Sequence, residues 1–542
     1  MNPLDIVATT ANGDTRHRLH HRVDGRLTSV PLAEVDAGAR AVAAWLRDLG
    51  VRRGDRVGVL SRNRLEWVLL DLAVLKLGAV TAGFEPDRFD PARVVADFGL
   101  ALLFTDSPVT GSAAGSTSAG PTVADPTSLD STAAGPASTS PTAAGDRVRS
   151  IAEVADAART GRDVPPGPGY GPADICAIKF TSGSTGSPKG LEVTAASVAD
   201  SLAAVQDMFH HGDGDNLLVF LGNWFLQQRY WFYSALAHGH DVTLATVDDA
   251  LDVAREARPT VVMGVPGFYE QLRSLVADVP ETTRGQAIQD RMGGRIRYLW
   301  TGSAPAGRAV LEFFNGAGVP LYEGYGLNET CIVTKNHPGA FRLGSVGKPL
   351  PHKTIRFDPD GVLVVGSRFP VNTRYTWSAP GANEKMFLPT GEVRTQDIGY
   401  VDDDGFLYIQ GRVDDVIALG TGYNVIAPVV EHRLREHRAV HDCVLHGSGR
   451  DRLVAVVSPA PGADLDALRE FVARLNGTLL PEQRVHAVVV AAERFSIDNG
   501  LLTGQYKPRR GEIHQRHAAG IEAAHAGPPL AVVRAVNQEE RV

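Results

Sequence analysis

Cysteine is the first scarcity: the 542 residues hold only three, Cys176, Cys331 and Cys443. They lie far apart and show no metal-ligand spacing, so no cysteine-based metal centre is expected. Positive charge is also short, with 54 Lys and Arg against 62 Asp and Glu and a net charge of −8. That balance argues against a nucleic-acid binder and against a protein held on an anionic membrane by charge. Long apolar runs are missing too. The most apolar stretch, WVLLDLAVLKLGAVTAGF (67–84), is interrupted by Asp71 and Lys76. It reads as a buried helix, so no stable membrane insertion is expected. The opening residues MNPLDIVATTANGDTRHRLHHR lack the apolar centre of a secretory signal. The expected location is cytoplasmic.

What is present has the balance of a soluble globular protein, 43% hydrophobic and 21% charged. The chain is too long for one ordinary domain. Leu32, Val35, Ala39, Val42, Leu46 and Leu49 recur at alternating steps of three and four, the stripe of an amphipathic helix, and Gly50 can stop it. A short buried strand around 57–60, a helix over 64–77 and a strand near Leu102 and Leu103 continue in an α/β rhythm. Residues 107–145 are nearly all Ser, Thr, Ala, Gly and Pro. With almost nothing to bury, they read as a disordered surface insertion, a tolerated linker more readily than a docking tether.

Apolar runs then return at 175–180, 217–221, 242–246, 261–265 and 296–300, alternating with helical segments. That spacing predicts a large α/β region with mostly parallel strands. From about residue 411 the pattern becomes that of a compact α+β unit. The expected organisation is α/β: a large N-terminal region of several subdomains with parallel-rich sheets (1–410), a small α+β C-terminal domain (411–520) and a frayed tail (521–542).

The most informative segment is FTSGSTGSPKG (180–190), directly after the apolar ICAIK. Gly183 and Gly186 let the backbone turn tightly and bring N–H groups close to phosphate oxygens. Thr181, Ser182, Ser184 and Thr185 add hydroxyl donors, and Lys189 adds a positive charge. An ordinary Gly/Ser turn has the same composition. The common P-loop is excluded, because Lys189 is wrongly spaced and is followed by Gly190 instead of Ser or Thr.

Downstream stand TGSAPAG (301–307), YEGYGLNET (322–330), TQDIGYVDDDG (395–405) and GRVDDVIALGTGYNV (411–425). With the first segment, in this order and spacing, they resemble the adenylate-forming superfamily of acyl-CoA synthetases, peptide-synthetase adenylation domains and luciferases. The resemblance runs from about residue 30 to 515. It implies that the 180–190 loop, with Lys189, holds the ATP phosphates, and that Gly302, Ser303 and Ala304 border the adenine and the carboxylate pocket. It further implies that Tyr325 stacks on adenine with Glu323 in the same ATP-binding segment, and that Glu329 ligates Mg2+. Asp397, helped by Arg412, would bind the ribose hydroxyls. Two positions depart from the family: Asn328 stands where Thr or Ser is usual, and Gln396 where Gly is usual. Asn can still donate a hydrogen bond to an α-phosphate.

IDNGLLTGQYKPRRGEI (497–513) resembles the closing segment of the fatty-acyl-CoA synthetases, which makes Lys507 the lysine that reaches the substrate carboxylate and α-phosphate. Pro508 and the missing Gly before the lysine depart from the commonest pattern. Asp414 falls where the family hinges between an adenylating and a thiol-transfer pose. The acid pocket is expected from segments 221–239 and 259–272, with Trp224, Phe225 and Gly264 lining it. Trp224, Phe225, Trp231 and Phe232 point to an apolar, fatty or aromatic acid, although aromatics of this kind also serve as plain core. Segment 221–239 lacks the Pro and His frequent in the family.

The expected activity is therefore an ATP- and Mg2+-dependent acid–thiol ligase, with coenzyme A as acceptor. Three alternatives stay open: loading of a carrier-protein phosphopantetheine, with an acyl carrier protein as partner; capture of the adenylate by an amine or another small nucleophile; and a nucleotide-binding pseudoenzyme. Retention of Lys189, Glu329, Asp397, Arg412 and Lys507 counts against the last.

Overall fold

The computed structural model describes residues 2–86, 88–106, 147–164, 167, 169–181, 189–502 and 508–534. The 107–145 insertion, loop positions Ser182 to Gly186, and Lys507 lie outside the described residues. The chain divides into two compact units: Met1–Arg356 with Val364–Thr395 and Asp402–Leu407, and Phe357–Leu363 with Gln396–Val401 and Tyr408–Val542.

The first unit rests on two large sheets. Their strands are β1 (Arg18–Val23), β2 (Arg26–Pro31), β3 (Arg56–Leu60), β4 (Val80–Phe84) and β5 (Leu102–Thr105). Next come β6 (Val148–Ser150), β7 (Ile175–Thr181), β8 (Lys189–Thr194), β9 (Asn216–Val219) and β10 (Asp241–Leu244). The set closes with β11 (Val261–Gly264), β12 (Tyr298–Thr301), β13 (Leu321–Leu327), β14 (Cys331–Lys335) and β15 (Lys348–Pro349). One sheet has six strands in the order β6-β5-β3-β4-β7-β8, parallel except for the β7–β8 hairpin. The other has nine, β15-β14-β13-β12-β11-β9-β10-β1-β2, with a parallel centre from β13 to β1 and antiparallel edges. This is the parallel-rich α/β architecture that the apolar runs predicted, and each of those runs overlaps a strand. A parallel strand covered on both faces needs a continuous apolar segment. Val57, Val59, Ala177, Ile178, Val219, Val262 and Leu299 are all buried accordingly.

Helices Leu32–Asp48 and Leu65–Lys76 occupy the segments that periodicity assigned to them. The second is buried along its length from Trp67 to Lys76, including both of its inner charges. Asp71 accepts from Arg229 Nη1 at 2.9 Å and from Tyr233 Oη at 2.5 Å. Lys76 Nζ lies 2.6 Å from Asp36 and donates to the Val7 carbonyl at 3.0 Å. Paired in this way, the charges that interrupt the apolar stretch are tolerated inside a protein core. No described helix is long and apolar enough to cross a membrane.

A four-stranded sheet follows, in the order β16 (Lys353–Phe357), β17 (Val362–Ser367), β18 (Val393–Val401), β19 (Leu407–Arg412). In the second unit, β20 (Val416–Ala418) pairs with β21 (Asn424–Ile426). Another sheet is built from β22 (Val440–His446), β23 (Leu453–Pro459), β24 (Val485–Val490) and β25 (Ala531–Arg534). The expectation of a frayed tail from 521 needs correction. Helix Ala518–Ala526 buries Ile521 and Ala524, and β25 pairs in parallel with β24. The apolar triplet Ala531 to Val533 is too short to stand out in a sequence, yet it suffices to complete a sheet edge.

Candidate active site

The β7–β8 hairpin carries the glycine-rich loop. Thr181 ends β7 and pairs with Lys189, which opens β8, so the loop runs between two residues locked in antiparallel register. The next rung is tied down from outside: Gly190 N–H donates to the Trp377 carbonyl at 2.8 Å. A β-carbon on Gly190 would lie 2.4 Å from the Trp377 ring, so only glycine lets the strand pass there. Lys189 reaches inward, its Nζ 5.3 Å from the ring centre of Tyr375.

The same tyrosine holds Glu329. Its hydroxyl donates to Glu329 Oε1 at 2.5 Å, and the carboxylate is 7% exposed. Glu329 sits in the tight turn between β13 and β14, and the turn is clamped from behind. Lys179 Nζ, on β7, donates to the Asn328 carbonyl at 3.1 Å and lies 3.4 Å from Cys331 Sγ. Lys353 Nζ donates to the Thr330 carbonyl at 3.0 Å and to Ser367 Oγ at 2.8 Å. Cys331 has φ of +54°, a left-handed conformation that costs an L-residue about 1–2 kcal/mol. Hydrogen bonds from charged donors, about 1.5–3 kcal/mol each, offset that strain. Cys331 is buried, with Lys179, Tyr230 and Ser197 around its sulfur. Burial pushes the thiol up, but the Lys179 and Lys353 charges together with the hydrogen bonds of Tyr230 and Ser197 leave it below its ordinary value.

The other positions expected on the ATP side of this unit lie at the end of β12 and on β13. Gly302 follows β12, and a β-carbon there would lie 3.4 Å from the Gly324 carbonyl. Ser303 has φ of +68° and is exposed, while Ala304 is half-buried. Glu323 ties this turn to β13 by accepting from the Ala306 N–H at 2.7 Å. Burial raises its carboxyl to about 7, against the opposing pull of that N–H and of Lys335. Tyr325 is half-buried on β13 at a bulge opposite Thr334. Lys335, fully buried, lays its Nζ 3.9 Å from the Trp300 ring centre and donates to the Tyr322 carbonyl at 2.8 Å. Its ammonium is held well below the usual lysine range by burial.

Trp224 and Phe225 lie half-buried just before helix Leu226–His238. The Trp224 backbone packs on Gly83, where a β-carbon would come within 2.8 Å of its Cα. Gly264 ends β11 against the Tyr269 hydroxyl. Trp231 and Phe232 are 3% exposed, and Trp231 meets Trp300 edge-on at 5.2 Å. They are core, so only two of the four aromatics border accessible space.

In the second unit, Asp397 on β18 is 4% exposed and accepts from Arg412 Nη1 at 2.9 Å. The preceding Gln396 has φ of +67°, which explains why glycine is usual there. Asp414 is exposed in the three-residue turn Val413–Asp415 that follows β19.

Tyr375, Lys179 and Lys353 were missed from the sequence. Tyr375 sits in FPVNTRYTW, which carries no periodic or glycine signal. A lysine inside the apolar ICAIKF was a usable signal, since a strand buried on both faces admits a charge only where it has partners.

Magnesium fits this arrangement. Among the described residues no group of three His, Cys, Asp or Glu could cage a metal. Mg2+ typically binds through one or two carboxylates plus substrate phosphates. Glu329, turned toward the residue that also meets Lys189, provides one such carboxylate.

The AMP-binding enzyme family model matches residues 11–366, and the AMP-binding enzyme C-terminal domain model matches 414–524. A long-chain-fatty-acid–CoA ligase of Mycobacterium bovis, FadD15, is 29% identical over 97% of each chain. Among solved structures, ATP-bound MatB from Rhodopseudomonas palustris superposes with a TM-score of 0.75 at 22% identity, covering 95% of this chain and 99% of that one. The o-succinylbenzoate CoA synthetase of Bacillus subtilis with its acyl-adenylate intermediate gives 0.73 at 21% identity, covering 95% and 98%.

Proposed function

Because the chain belongs to the AMP-binding enzymes, we propose that it activates a carboxylic acid with ATP and passes the acyl group to coenzyme A. One observation carries this reading: Lys189 and Glu329 meet at Tyr375, beside the hairpin loop. The charge proposed for the phosphates and the carboxylate proposed for the metal both contact this one side chain.

A carboxylate is a poor electrophile, and transfer to AMP turns it into a mixed anhydride with a good leaving group. No general base is required, because the acid is already ionised near pH 7. In the proposed roles, the 182–186 loop and Lys189 hold the phosphates. Gly302 to Ala304, Glu323 and Tyr325 border the adenine, and Asn328 the α-phosphate. Asp397, oriented by Arg412, takes the ribose hydroxyls. Bound Mg2+, held by Glu329, supplies charge neutralisation at the phosphates. Lys507 serves as a mobile point charge for negative charge that builds up in the transition state, and Asp414 as the hinge.

The acid we propose is apolar, fatty or aromatic. Trp224 and Phe225 support this, as does the fatty-acid ligase named among the relatives. Coenzyme A fits the same relatives, and a carrier protein is the second acceptor to test. The proposed location is the cytoplasm.

Acid-dependent exchange of pyrophosphate into ATP, measured without a thiol, tests the reading. We expect exchange with medium or long apolar acids and its loss in Lys507→Ala. Adding coenzyme A or a phosphopantetheine carrier then identifies the acceptor, and Asp414→Pro should stall only that second step. No nucleotide binding at all would overturn the assignment.

A further inference from the structure

We propose that Lys179 and Lys353 are positioning residues that fix the Glu329 turn for Mg·ATP by gripping the backbone carbonyls on either side of it. The proposal rests on the functional reading above and extends it to two residues outside the expected site.

Glu329 is joined to its neighbours by two planar peptide units. Holding the Asn328 carbonyl fixes the plane through which the chain enters Glu329. Holding the Thr330 carbonyl fixes the chain just after it. Lys179 performs the first task and Lys353 the second, at 3.1 and 3.0 Å. Both side chains are buried, at 3% and 6% exposure. Neither forms an ion pair with a carboxylate among the described residues. A buried ammonium without a carboxylate is costly, and a neutral donor could hold a single carbonyl more cheaply. The ammonium offers three donors on one atom, and Lys179 uses them to span the whole turn, from the Asn328 carbonyl to Cys331 Sγ. Lys353 likewise joins the Thr330 carbonyl to Ser367 on β17.

The placement of Lys179 adds a link. It lies on β7, the strand that leads into the glycine-rich loop, and Lys189 lies on β8, the strand that leaves it. Lys179 touches the Glu329 turn from behind, and Lys189 reaches it from the front through Tyr375. Both arms of the hairpin that presents the phosphate loop are thus tied to the turn that presents the metal ligand. With Mg·ATP bound, these bonds would hold the hairpin arms and the Glu329 turn together without reference to the acid.

The test is equilibrium binding of Mn2+ with a non-hydrolysable ATP analogue, followed by electron paramagnetic resonance on the full chain. Lys179→Met and Lys353→Met should each weaken Mn·nucleotide binding about ten-fold or more, the loss of one charge-assisted hydrogen bond. Lys179→Gln, which keeps a donor, should recover part of it. Lys76→Met is the control: this buried lysine also grips a carbonyl, that of Val7, but far from Glu329 in sequence and in partners. It should lower the unfolding temperature and leave Mn·nucleotide affinity unchanged. Wild-type affinity in both lysine variants, or losses matched by Lys76→Met, would overturn the proposal. If Lys179→Met does not fold, Lys353→Met and Lys179→Gln decide. Bound Mn·nucleotide without exchange for any acid would count against the functional reading alone, whereas exchange with unchanged variant affinities would count against the positioning alone.

Discussion

Replacing Glu323 by Gln should stabilise the unliganded protein, and the gain should grow with pH. The carboxyl is buried and accepts from the Ala306 N–H at 2.7 Å, and burial pushes it up from its ordinary 4.5 to about 7 in the folded chain. A carboxyl with a raised folded pKa takes up a proton on folding between those two values. Its stabilising contribution is full below pH 4.5 and is lost as pH rises through 7. The difference of 2.5 units, from 4.5 to about 7, corresponds to about 3 kcal/mol at pH 8 and above, and to about 1 kcal/mol at pH 5. Gln accepts the same N–H and has no charge to bury, so the variant is spared that cost. Urea unfolding of wild type and Glu323→Gln at pH 5 and pH 8 measures it, read from the transition of the first unit. An equal gain at both pH values, or a loss at pH 8, would refute the reasoning.

Two further perturbations follow from named contacts. Tyr375→Phe keeps the ring beside Lys189 and removes the hydroxyl bonded to Glu329. The loss of about 1.5–3 kcal/mol should lower kcat/KM for Mg·ATP in the exchange assay by roughly ten- to a hundred-fold. Asp71→Ala should cost about 3–5 kcal/mol, because it leaves the Arg229 guanidinium buried without its counter-ion. The double change Asp71→Leu with Arg229→Met should recover most of that in denaturant titration, since apolar residues of similar volume replace a buried pair at little cost.

Much of this architecture was legible because its signals are local. A strand covered on both faces must be continuously apolar, so ICAIKF, VVMGV and IRYLW announced themselves. A helix against a core must repeat every three to four residues, which located Leu32–Asp48. The glycines of the phosphate loop and the acid of YEGYGLNET are spaced along the chain, and their order alone supports the family resemblance. β25 escaped notice because three apolar residues gain meaning only beside β24. Trp231 and Phe232 could not be sorted from Trp224 and Phe225, since a side chain's residue type does not say whether a sheet lies over it.

What the sequence by itself determined was the α/β class and the order of the segments that resemble the adenylate-forming family, with the groups proposed for its chemistry. These depend on residue type and on spacing along one chain. Only the tertiary structure decided which groups hold Glu329 in place: Tyr375 against its carboxylate, and Lys179 and Lys353 against the carbonyls around it. Such partners lie 23 to 149 residues apart along the chain. A hydrogen bond depends on distance and direction in space, and neither is encoded in separation along the sequence.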